Sequence, residues 1–79
     1  GRLYITDTDG FTIRRLAGGE VTTIAGAGVG GWKDGPRLEA QFWGLEGLAL
    51  TADGTTAWVA DGSRGEDVPY NHVRRVELP

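Results

Sequence analysis

The sequence predicts an all-β fold, and three observations carry that expectation. Short β-branched and aromatic runs are punctuated by Gly-Gly and Asp-Gly pairs, the pattern of strands joined by tight turns. A two-strand pattern occurs twice in the same order. Fourteen glycines among 79 residues leave little room for uninterrupted helix.

Taken in order, Leu3-Tyr4-Ile5-Thr6 opens as an alternating strand and Ile13-Arg14-Arg15-Leu16 follows it. Gly18-Gly19 turns the chain into a third strand, Glu20-Val21-Thr22-Thr23-Ile24. After a glycine-rich stretch, Gly47-Leu48-Ala49-Leu50 is small and apolar at every position, which predicts a strand covered on both faces. Asp53-Gly54 then turns the chain into Ala57-Trp58-Val59-Ala60, and Val73-Arg74-Arg75-Val76 comes last. Leu3 to Thr8 aligns with Ala57 to Gly62 at an offset of 54 residues, and Ile13 to Leu16 aligns with Val73 to Val76 at an offset of 60. The difference falls in one loop, Ser63 to His72. Such self-similarity marks a repeat architecture.

The middle of the chain holds a rival reading. Gly26, Gly28 and Gly31 stand at the G-x-G-x-x-G spacing after a β-branched run, with Glu46 where a dinucleotide fold keeps its ribose-binding acid. That motif works only when its glycine loop runs directly into a helix whose free amides face the pyrophosphate. Trp32-Lys33-Asp34-Gly35-Pro36 follows instead and cannot open a helix there. Leu38, Phe42, Leu45 and Ala49 form a helical stripe, but Gly44 and Gly47 interrupt it at about 1 kcal/mol each. A single helical turn near Leu38 to Phe42 is what the pattern allows.

Composition removes several function classes. With no cysteine and one histidine, thiolate and histidine-cluster metal sites have no ligands. Eight Lys and Arg against eleven Asp and Glu give a net charge of −3, which argues against a phosphate backbone as partner. Arg14-Arg15 and Arg74-Arg75 do not form a basic stripe, because neighbours on a strand point to opposite faces. Asp7-Thr8-Asp9-Gly10 lacks the remaining ligands of a calcium loop and reads as a turn. No apolar run approaches the roughly 18 residues of a membrane span, and no leader pattern opens the chain. Neither nucleic-acid binding nor membrane insertion is therefore expected.

Several motifs in succession resemble the NHL-repeat family of β-propellers. They are Gly19-Glu20-Val21-Thr22-Thr23-Ile24-Ala25-Gly26, Asp34-Gly35, Ala40-Gln41-Phe42, Gly47-Leu48-Ala49-Leu50, Asp53-Gly54, Trp58-Val59-Ala60-Asp61 and Asn71-His72-Val73-Arg74-Arg75-Val76. Asn71-His72-Val73 stands for the family's Asn-His-Leu signature, while Leu45 replaces its usual proline and the first copy has Phe11-Thr12 instead of Asn-His. The resemblance implies about one and a half four-stranded blades. Residues 1–26 would supply the last three strands of one blade, 27–44 the inter-blade crossing, and 45–79 the first three strands of the next. Phe42 and Trp43 would anchor the crossing, and Trp58 would fill the space between blade faces. With neither blade complete, the chain is not expected to persist as a lone monomer. Its partners would be a target protein, further blades, or copies of itself.

The resemblance thus implies a non-enzymatic scaffold that presents rim loops to a protein, in a cell-surface or extracellular assembly. The alternatives are a lyase- or hydrolase-type propeller enzyme with its active site in other blades, and a self-assembling fragment whose copies complete one another. The insert Ser63 to His72 is where contact residues can concentrate, since loops on rigid scaffolds carry binding groups. Its candidates are Arg64, Glu66, Asp67, Tyr70 and His72, against the reading that Asn71 and His72 only hydrogen-bond neighbouring backbone. No catalytic, cofactor or metal residue is assigned.

Overall fold

The computed structural model describes residues 2–62 and 72–79, and within them the protein is all-β. Six strands of six residues each form: β1 (Arg2–Asp7), β2 (Thr12–Ala17), β3 (Glu20–Ala25), β4 (Leu45–Leu50), β5 (Thr56–Asp61) and β6 (His72–Glu77). They build two antiparallel three-stranded sheets, ordered β1-β2-β3 and β4-β5-β6. The predicted strands all lie within the observed ones, and among the described residues no helix follows Gly31.

The repeat holds at the level of strand register. Arg2 pairs with Ala17 and Asp7 with Thr12 in the first sheet; at the same offsets, Thr56 pairs with Glu77 and Asp61 with His72 in the second. Every pair between β1 and β2 has its counterpart between β5 and β6. A register slip of one residue would turn each side chain to the opposite face, so this match also fixes which faces correspond.

Side chains from both sheets and from the crossing build one core: Ile13, Ile24 and Ala25, then Phe42, then Leu45, Ala57, Val59 and Val76. Irregularities in pairing set some of these positions. The register shift at Ile13/Arg14 leaves Ile24 without an opposite residue, and it and its neighbour Ala25 are both buried. A second shift between Leu45 and Leu48 brings these residues, three apart, to the same face. At the junction of the sheets, the hydroxyls of Thr6 and Thr8 donate to the carbonyls of Glu46 (2.9 Å) and Leu45 (2.7 Å).

Two expectations are corrected. Trp58 is 45% exposed rather than packed in the core, because Ala57, Val59 and Asp61 take the inward parity of β5 and leave Trp58 and Ala60 facing out. Likewise β4 is not covered on both faces: Leu45 is buried while Ala49 and Leu50 remain exposed, since only one other sheet packs beside it.

The crossing between β3 and β4 is a folded loop tied to its surroundings. Gly26 and Ala27 donate their amides to the carbonyls of Arg37 (2.8 Å) and Ala40 (2.9 Å). Lys33 and Gln41 bridge each other, and the amides of Glu39 and Ala40 both reach the Pro36 carbonyl, closing a turn over Pro36 to Ala40 rather than a helical turn at Leu38 to Phe42. Gly26 has φ +99°, and a Cβ there would collide with the carbonyl of Phe11. A Cβ at Gly30 would stand 2.7 Å from the Trp43 ring, which stacks on Phe11 at a centroid distance of 5.7 Å. Gly26 and Gly30 thus let the crossing pack closely against Phe11 and Trp43.

Candidate functional site

The most concentrated polar chemistry lies where β6 meets the crossing. Alternation along β6 sends Arg74 inward and Arg75 outward, as the sequence implied. The Arg74 side chain is 11% exposed and its guanidinium is fully engaged. Its Nη1 donates to Asp61 Oδ2 at 2.8 Å and to the Gln41 carbonyl at 3.0 Å, while Nη2 donates to the Lys33 carbonyl at 3.0 Å. Asp34 pairs with the same guanidinium at 2.8 Å, and the Phe42 ring lies beneath it at 4.9 Å.

Asp61 is completely buried, so its carboxylate must be fully partnered. Besides Arg74, it accepts the amides of Trp43 (3.0 Å) and Gly44 (2.7 Å). The buried charge is thus neutralised by one cation and two backbone dipoles, and the pair clamps both ends of the 33–44 segment onto the second sheet. The first sheet holds the equivalent residues, Asp7 and Arg14, in a different state. Asp7 caps the Gly10 amide at 3.1 Å, and Arg14 Nε is buried with no hydrogen-bond partner among the described residues.

Beside this cluster a groove of about 570 Å³ runs between the crossing and β6. Trp32, Pro36, Arg37 and Ala40 form one wall and the six residues of β6 the other. Arg37 is fixed there by a 2.6 Å bond from Nη1 to the Ile24 carbonyl. Among the described residues no group of three or more His, Cys, Asp or Glu could hold a metal ion.

Of the five contact residues expected from sequence, only His72 is placed. It opens β6 opposite Asp61, exposed at one end of the groove. Arg64, Glu66, Asp67 and Tyr70 lie outside the described residues. Arg74, Asp61 and Asp34 went unrecognised, although a signal existed. An aspartate closing one strand and an arginine in the next recur at the repeat offsets, as Asp7 with Arg14 and Asp61 with Arg74.

The two outer faces complete the picture. The first sheet turns Tyr4 and Ile13 toward the shared core; their counterparts Trp58 and Val73 lie on the outer face of the second sheet, 45% and 73% exposed. The second sheet turns Ala57 and Val59 inward; their counterparts Leu3 and Ile5 lie on the outer face of the first, 57% and 38% exposed.

No protein-family model, curated protein or solved structure matches this chain.

Proposed function

We propose that the chain is a non-enzymatic structural and protein-binding module, part of an NHL-type β-propeller in which each sheet contributes three strands of a blade. Its direct partners are further sheets of the same kind, and its role is to stack against them while holding connecting loops in fixed positions. One observation carries this reading: each exposed outer face is the repeat counterpart of a face that the molecule already buries. The same contact can therefore be propagated from both ends. It is heterologous, and such contacts continue until they close a ring or run on as a filament.

Apolar residues concentrated on both outer faces support the same reading, since exposed patches of this kind mark interaction surfaces. The Arg74–Asp61 cluster fits a scaffold better than a reaction centre, because its hydrogen bonds end on the molecule's own backbone and side chains.

Sedimentation velocity over a range of concentrations tests the proposal. Species heavier than the 8.4 kDa chain are expected. Trp58→Asp, on an outer face, should shift the population toward single chains while the far-ultraviolet circular dichroism of a β protein persists. A folded particle of one chain at every concentration would refute the stacking role.

A further inference from the structure

We infer that the Asp34-Gly35 pair is a self-modification site, where the aspartate closes on the following amide and reopens as isoaspartate, loosening the hold of Arg74 on the crossing. The chemistry uses only this chain and water, and it stands whether or not the outer faces stack.

Aspartate followed by glycine is well suited to this reaction, because glycine has no side chain to shield its amide. The chain has four such pairs: Asp9-Gly10, Asp34-Gly35, Asp53-Gly54 and Asp61-Gly62. In the reaction the glycine nitrogen attacks the protonated carboxyl at Cγ. The N–Cγ bond forms, the nitrogen gives up its proton, and one carboxyl oxygen leaves as water, closing a five-membered succinimide. Water then opens the ring. Addition at Cγ restores aspartate, whereas addition at the main-chain carbonyl breaks its bond to the glycine nitrogen and leaves the chain running through Cγ. One water is lost and one is gained, so the product is an isomer of the same mass and nothing is oxidised or reduced.

Folding holds three of the four pairs back. The Gly10 amide donates to Asp7 Oδ1 at 3.1 Å, the Gly54 amide to the Thr51 carbonyl at 2.9 Å, and the Gly62 amide to the Gly44 carbonyl at 2.9 Å. Asp61 is also completely buried, away from the water that opens the ring. The Asp53 carboxylate is tied by the Thr51 and Thr55 hydroxyls and the Thr55 amide. By contrast, the Gly35 amide has no acceptor among the described residues. A Cβ at Gly35 would meet nothing within 4 Å, so the segment has room to bend into the ring. The Asp34 side chain is 94% exposed, and both of its contacts with Arg74 fall on Oδ1, which leaves Oδ2 as the oxygen that departs.

The consequence falls on the clamp. Isoaspartate at Asp34 places one more backbone carbon between Lys33 and Gly35 and moves the free carboxylate onto Cα. That draws the carboxylate from Arg74 and shifts the neighbouring Lys33 carbonyl, which accepts from Arg74 Nη2 at 3.0 Å and from the Gln41 amide at 2.8 Å. The other end of the clamp, where Asp61 accepts the Trp43 and Gly44 amides, keeps its bonds.

The test incubates the full chain at mildly acidic pH, native and in urea. Digestion after glutamates and electron-transfer fragmentation then locate isoaspartate at each pair. In the native chain Asp34 should react roughly fivefold or more faster than the other three, the effect of one hydrogen bond that must break at each of their amides. In urea, which releases those bonds, the four rates should converge. Asp34→Glu keeps the charge but makes the ring six-membered, and should remove the product at this position while leaving the other three rates unchanged. In the separated isoaspartyl form, hydrogen exchange should quicken at the Lys33 and Gln41 amides and stay unchanged at Gly44. A faster reaction at another pair, the same ratios of rates in urea, or no isoaspartate at Asp34 overturns the inference. Unchanged exchange at Gln41 in the isoaspartyl form overturns the effect on the clamp.

Discussion

Arg74 Nη1 and Asp61 Oδ2 stand 2.8 Å apart on neighbouring strands, and that pair joins the second sheet to the crossing. Removing one member leaves the other charged and desolvated. Arg74→Met is therefore expected to cost about 3 kcal/mol, read as a lower urea midpoint. Arg14→Met, at the equivalent place in the first sheet, removes a guanidinium whose Nε has no partner among the described residues, and should cost less than about 1 kcal/mol. Equal losses in the two variants would mean that the clamp contributes nothing specific.

Phe42 supplies the second comparison. It is 2% exposed and touches a core drawn from both sheets, whereas Trp58, the larger ring, is 45% exposed. Phe42→Ala should cost about 3–5 kcal/mol. Trp58→Ala should cost far less, measured on single chains so that assembly does not contribute. A reversal of that order would show that Trp58 faces inward in solution.

These contrasts also show what the residues disclosed in advance. Strand positions and the hairpin repeat were legible because both sheets use the same alternation, and β1–β2 and β5–β6 share one register at the offsets read from sequence. The parity of Arg74 and Arg75 was legible for the same reason. Which parity of β5 faces inward was not, because that depends on where the other sheet lies, and Trp58 falls on the parity that the first sheet does not cover. Part of the clamp was hidden for a further reason: besides Asp61 and Asp34 its acceptors are the Lys33 and Gln41 carbonyls, and backbone groups carry no side-chain signature.

Gly26 and Gly18 both have positive φ, +99° and +58°, but differ in surroundings. A Cβ at Gly18 meets nothing within 4 Å, so Gly18→Ala bears only the backbone penalty of about 1–2 kcal/mol. Gly26→Ala adds a collision with the Phe11 carbonyl at the point where the crossing leaves β3. It should lower the thermal midpoint clearly more than Gly18→Ala does. Equal shifts would mean that the crossing yields freely at Gly26.

Asp53 sets the pH response of the β4–β5 turn. Its carboxylate accepts the hydroxyls of Thr51 (2.7 Å) and Thr55 (2.8 Å) and the Thr55 amide (3.1 Å), and these bonds, that from Thr51 foremost, hold its pKa below the ordinary 3.8. The unfolded chain lacks them and takes up the proton at a higher pH. The ionised turn therefore favours the folded state above the ordinary carboxylate range, and that contribution is lost as pH falls through the lowered value. The effect on stability is small because the group is exposed. Carbon-13 titration of the Asp53 carboxyl should give a midpoint below 3.8, and Thr55→Val should raise it. A midpoint at or above 3.8 in the unaltered chain would mean that the turn does not hold its hydrogen bonds in solution.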